Sequence, residues 1–77
     1  MPTIFYAAGF RFMIYVHEHA PAHVHVIGHG ATVELNIDPV ALRAVRGSLT
    51  DSQIRQIIQI ARRREPELLA AWKAHHG

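Results

Sequence analysis

Residues 10 to 17, Phe-Arg-Phe-Met-Ile-Tyr-Val-His, divide into two alternating sets. Phe10, Phe12, Ile14 and Val16 point one way; Arg11, Met13, Tyr15 and His17 point the other. Period two in a run of β-favouring residues predicts a strand with one buried face. Glu18 to Ala22 contains Pro21 and reads as a turn. Alternation resumes at His23-Val24-His25-Val26-Ile27, with Val24 and Val26 on the apolar side. Gly28-His29-Gly30-Ala31 is a hairpin signal, because Gly30 can take the positive φ that a tight primed turn needs. Thr32 to Ile37 completes a meander and buries Val33, Leu35 and Ile37. A short strand near Thr3 to Tyr6 is expected to precede it.

Asp38-Pro39 stops the last of these strands. The stretch Val40 to Arg46 fits two templates: Val40, Leu42 and Ala44 alternate, while Asp38 as N-cap with Pro39 behind it suits a helical turn. We read it as an extended connecting segment that ends at Gly47. Thr50 with Gln53 three residues on is a capping box, and Ile54, Ile57, Ile58 and Ala61 follow as an apolar stripe at helical spacing. Glu65-Pro66 ends this helix and opens another, since proline is tolerated only in a first turn. Leu68, Leu69 and Trp72 then face the core. The expected fold is α+β in a single domain over residues 1–77. A three- or four-stranded antiparallel β-meander (1–37) leads through a connecting segment (38–47) to two C-terminal helices (50–64 and 66–76) packed on one face.

Composition narrows the classes. The chain has 77 residues, and a domain of that size buries only about 60% of its unfolded surface. Its 49% hydrophobic content suffices for a core, and with no cysteine neither disulfides nor thiolate metal sites can staple it. Small unstapled chains gain stability by self-association, so a homodimer is expected. No apolar run approaches the roughly 18 residues of a transmembrane helix, and the N-terminus lacks the charged start of a secretory signal. The expected compartment is the cytoplasm. Net charge is +2 with seven histidines neutral. Arg62, Arg63 and Arg64 form a basic block with Arg55 ahead of it, which suits either an RNA or DNA phosphate partner or a solvated helix end with cations near its C-terminal dipole.

The turn lengths set strand registers. A turn over Glu18 to Ala22 pairs His17 with His23 and Tyr15 with His25. The hairpin over Gly28 to Ala31 pairs Ile27 with Thr32, His25 with Glu34 and His23 with Asn36. The two registers agree in parity, so the apolar residues of all three strands share one face. The opposite face carries Tyr15, His25 and Glu34 in one row, and His17, His23 and Asn36 beside it. Opposed Cβ atoms lie about 4.5–5.5 Å apart, so imidazoles, a phenol and a carboxylate meet in one patch with Arg11 at its edge.

Three chemistries suit such a patch. In the first it works on a phosphodiester: of His23 and His25, one takes the 2′-hydroxyl proton of RNA and the other protonates the leaving oxygen. Arg11 or Tyr15 stabilises charge, and Glu34 orients His25. In the second, His17, His23 and His25 bind a divalent metal, zinc or nickel, with Glu34 as ligand or outer partner. The string His17-Glu18-His19-Ala20-Pro21-Ala22-His23-Val24-His25 is rich in ligands but matches no zinc spacing and no helical His-Glu-x-x-His motif. In the third, the histidines cover a half-exposed sheet or an interface. Five histidines lie between His17 and His29; His29, His75 and His76 read as surface residues.

Several segments resemble a family of small bacterial proteins of unknown function: the start Met1-Pro2-Thr3-Ile4-Phe5, the string Glu18-His19-x-Pro21-x-His23-Val24-His25-Val26, Asp38-Pro39, and the closing helix with Trp72 and Gly77. The hallmark it resembles is Glu-His-x-Pro-Pro-His-Val-His-Val, and the likeness runs along essentially the whole chain. This sequence departs from it at Ala22, where the family has a second proline; the spacing of His23 and His25 is kept. Glu18, His19, His23 and His25 carry over, and His17 and His29 do not. The resemblance implies a gene of a small two-gene module of the toxin–antitoxin kind, with a small partner protein encoded nearby. A strand meander followed by helices is also broadly like small ribonuclease toxins, an analogy at the level of fold. Together these readings lead us to expect a toxin–antitoxin-module component whose His23/His25 face binds, and by one reading cleaves, RNA. The alternative is a metal-binding or protein-interaction module without catalytic activity.

Overall fold

The computed structural model describes residues 3–76, so Met1, Pro2 and Gly77, which take part in the resemblance, lie outside the described residues. Five strands come first: β1 (Thr3–Ala7), β2 (Phe10–Met13), β3 (His23–Gly28), β4 (Ala31–Ile37) and β5 (Val40–Arg46). Helices α1 (Asp51–Arg63) and α2 (Glu65–His76) follow. The strands form one antiparallel sheet in sequence order, an uninterrupted meander.

The fold is therefore α+β as expected, but with five strands in place of three or four. The fifth is the segment assigned as a connection. Val40 to Arg46 pairs along β4, joined to it by the two-residue Asp38-Pro39 turn. Its alternation told the truth about its conformation. What the pattern left open was a partner, and an edge strand that buries only Val40 and half-buries Ala44 carries a weak signal of pairing.

Apolar residues of one sheet face, Phe5, Phe12, Val24, Val26, Val33, Leu35 and Ile37, close against Ile57 and Ala61 of α1 and Leu68 and Trp72 of α2. Each helix brings its stripe because positions three and four apart lie on one side of a 3.6-residue turn. Helix α1 starts where its chemistry says it must: Thr50 accepts from the Gln53 amide at 3.1 Å, and the Gln53 side chain takes the Thr50 amide at 2.9 Å. Arg64 separates the helices; its guanidinium lies 3.4 Å from the centre of the Phe5 ring and grips Glu67 at 2.8 and 3.0 Å.

The β3–β4 register is the one the hairpin predicts, with His23 opposite Asn36, His25 opposite Glu34 and Ile27 opposite Thr32. His29 and Gly30 form its turn with φ of 52° and 76°, the double left-handed pair of a type I′ turn. The β2–β3 register differs. Met13, not Tyr15, faces His25, and Arg11 faces Ile27. The chain leaves the sheet after Met13, so residues 14–22 make a loop in place of a short turn, and Val16, expected inside, is 43% exposed. The slip is two residues. Because side-chain direction in a strand repeats every two residues, both faces keep the composition that the alternation assigned to them.

Candidate metal centre

His23 and His25 stand two apart on β3, so their side chains leave the same face of the sheet. That face is not open. His23 is 2% exposed and His25 8%, and Met13, opposite His25, is fully buried. The loop over residues 14–22 returns across them. Tyr15 lies edge-on to the His25 ring with centroids 4.5 Å apart, and Glu18 extends its carboxylate to both imidazoles. The Trp72 ring of α2 approaches His23 from the helical side at 5.2 Å.

The geometry converges on one oxygen. Glu18 Oε1 lies 3.1 Å from His23 Nε2 and in closer contact with His25 Nε2. The other nitrogen of His23, Nδ1, is 2.8 Å from the Pro21 carbonyl. A carbonyl accepts only, so Nδ1 carries a proton and donates it; Nε2 then meets Glu18 with a second N–H in the protonated ring, or with its lone pair in the neutral one. That buried Nε2 has no hydrogen-bond partner, although the carboxylate oxygen is close by. With the neutral ring two acceptors face each other, a contact that a proton or a metal ion between them relieves. Asn36, paired across from His23, likewise holds its Oδ1 buried without a partner.

Burial works against the charge of Glu18, but the His25 and His23 hydrogen bonds, followed by the attraction of their charges, outweigh it. They hold its carboxyl below the ordinary value of 4.5. The carboxylate is therefore an anion at neutral pH, as a metal ligand must be. The ligand atoms of Glu18, His23 and His25 all lie within 4.8 Å of one another, a grouping able to hold a metal ion.

Other expected site residues fall elsewhere. Glu34 faces His25 across the sheet, but its carboxylate leans toward Arg46 at 3.9 Å. Arg11 donates to the Thr3 hydroxyl at 2.7 Å. His17 is exposed on the loop and stands outside the Glu18–His23–His25 group. Arg55, Arg62 and Arg63 are exposed on α1, while Arg64 is half-buried against Phe5 and Glu67.

Glu18 took the place that sequence reasoning gave to Glu34. Its signal was the Glu18-His19-x-Pro21-x-His23-Val24-His25 string; strand pairing favoured Glu34 because it counts cross-strand neighbours and cannot see a loop folding back. His76 was also missed. Its Nδ1 lies 3.0 Å from the Trp72 carbonyl, its Nε2 3.2 Å from the Tyr15 carbonyl 61 residues away, and its ring stacks on Trp72 at 3.7 Å. A contact of that separation leaves no trace in local spacing. Together Val16 to Ala20 and Trp72, His75 and His76 line a cleft of about 490 Å³ beside Glu18.

No helix among the described residues is long and apolar enough to cross a membrane. No curated protein and no solved structure matches the chain. A family model does, over residues 9–73, the span that carries the loop, both β3 histidines, all of α1 and most of α2. The chain belongs to that family, a domain of unknown function, DUF4160.

Proposed function

We propose that this protein is a metal-binding domain in which Glu18, His23 and His25 hold a divalent transition ion, zinc or nickel. The observation that carries the reading is the buried Nε2 of His23, which has no hydrogen-bond partner and lies 3.1 Å from a carboxylate oxygen that His25 also approaches. Two lone pairs that close repel unless a proton or a metal ion lies between them, and a metal ion can serve all three ligands at once. Ligands about 2.0–2.1 Å from a tetrahedral zinc ion are separated by about 3.3 Å, close to the 3.1 Å spacing of His23 Nε2 and Glu18 Oε1. Imidazole is a borderline donor suited to such ions, and zinc also takes the harder carboxylate oxygen. The His23 proton held by the Pro21 carbonyl is the kind of outer contact that orients a ligating imidazole.

Micromolar zinc or nickel added to the metal-free protein should raise its melting temperature, because an ion that binds only the folded chain stabilises it by mass action. Glu18→Gln keeps shape and removes the anion, and it should abolish most of that shift. His23→Ala should abolish it as well. An unchanged melting temperature in the parent protein, or an equal shift in Glu18→Gln, would end the metal reading.

A second reading, an RNA-binding component of a cytosolic toxin–antitoxin module, draws on the family resemblance and on the exposed Arg55, Arg62 and Arg63. It stands lower for catalysis. A histidine that shuttles a substrate proton needs a nitrogen within reach of the substrate, and both imidazoles are buried with Nε2 turned to Glu18. RNA cleavage that survives chelator and is lost in His25→Ala would reverse this order. Co-purification with a neighbouring gene product, without turnover, would favour an interaction module.

A further inference from the structure

We propose that the cleft beside Glu18 takes a small oxyanion, which ligates the metal ion and accepts hydrogen bonds from imidazoles on the cleft walls. The proposal rests on the metal reading and adds to it the class of ligand. Of the three ligands Glu18 alone lines the cleft, so an ion on its carboxylate would meet that space on the Glu18 side, with His23 and His25 behind it. Three protein ligands leave a tetrahedral ion one position for an outside group, as in catalytic zinc sites and not in closed structural ones.

The walls say what that group is. Histidines 17 and 19 come from the loop, and His75 and His76 from the end of α2. Glu18 is the sole acidic side chain among the residues lining the cleft, and its charge is committed to the two imidazoles of β3. His17, His19 and His75 are exposed and free to turn an N–H inward. His76 sets both ring nitrogens against carbonyl oxygens, at 3.0 and 3.2 Å. Its ring is thereby held in the wall, which leaves His17, His19 and His75 as the imidazoles able to turn toward a ligand. A divalent ion with one carboxylate keeps a net positive charge, and donors without competing anions surround it. Val16, Ala20 and Trp72 complete the lining, and its ionisable groups favour an anion over a cation. A volume of about 490 Å³ falls in the range of small-molecule sites, about 300–1,000 Å³.

Cobalt(II) serves as the probe, since its visible spectrum reports on its ligands. The cobalt-loaded protein, freed of excess ion, is titrated with inorganic phosphate and separately with acetate, which separates phosphate from carboxylate chemistry. The expected result is a saturable change in the cobalt bands with at least one of the two anions. His75→Gln should weaken that anion about tenfold, the scale of one charge-assisted hydrogen bond. His19→Gln should weaken it similarly, and neither variant should change the cobalt spectrum in the absence of anion. Cobalt bands that ignore both anions, or a response equally strong in the two variants, would overturn the oxyanion site and leave the metal site standing. A protein that takes up no cobalt would overturn both.

Discussion

His23 shows how a single side chain can state a requirement. Its Nδ1 is spent on the Pro21 carbonyl, so its buried Nε2 meets the Glu18 carboxylate through a proton of its own or through a metal ion. Glu18 is the complementary case. Burial alone would raise its pKa, but its two histidine partners lower it below 4.5. A carboxyl depressed in the folded state contributes stability in full above its unfolded value, and loses it as pH falls through the folded one. Glu18→Gln should therefore slightly lower the melting temperature of the metal-free protein above pH 4.5 and flatten its acid limb, the two curves converging at low pH. Equal steepness in both proteins would show that the carboxylate is not coupled to folding. Glu18 is about one-third exposed, so solvent screening keeps the effect small.

At the scale of elements, the hairpins and the loop divide the labour. Two tight turns, Ala8-Gly9 and His29-Gly30, meet at one end of the sheet, with the His29 ring against Phe10 at 4.6 Å. Gly28 lies where they join. A Cβ there would fall 2.6 Å from the Gly9 carbonyl oxygen and 2.8 Å from Phe10 Cδ1. Backbone of a paired strand cannot yield as a side chain can, so Gly28→Ala should destabilise the protein by about 1–3 kcal/mol, the cost of overpacking. Chemical denaturation would measure it; a loss below about 0.5 kcal/mol would mean that the β1–β2 turn gives way. At the other end of the sheet the loop over residues 14–22 does the opposite work. It abandons pairing after Met13 and gains a carboxylate over β3.

For the whole molecule the limiting quantity is core size. One apolar cluster serves all seven elements, and Phe12, at 0% exposure and stacked on Phe5 at 4.6 Å, sits in it. Truncating a buried Phe to Ala costs about 3–5 kcal/mol, and a single core in a chain this short rarely supplies more than about 3–5 kcal/mol. Phe12→Ala should leave no cooperative thermal transition by far-ultraviolet circular dichroism, and saturating zinc should restore part of it if the metal reading holds. A variant that melts cooperatively within a few degrees of the parent would show that stability resides elsewhere.

Alternation alone determined which residues of the strands face the core, and it survived an error of two in the β2–β3 register because a shift of two preserves parity. Capping chemistry at Thr50 and the isoleucine stripe likewise determined α1. These are properties of neighbours in the chain, written in spacing. Only the tertiary structure decided that Val40 to Arg46 is a strand of the sheet, that Glu18 and not Glu34 meets the histidines, and that His76 reaches Tyr15. Each of those depends on how a loop or an edge closes through space, and closure is set by the packed whole.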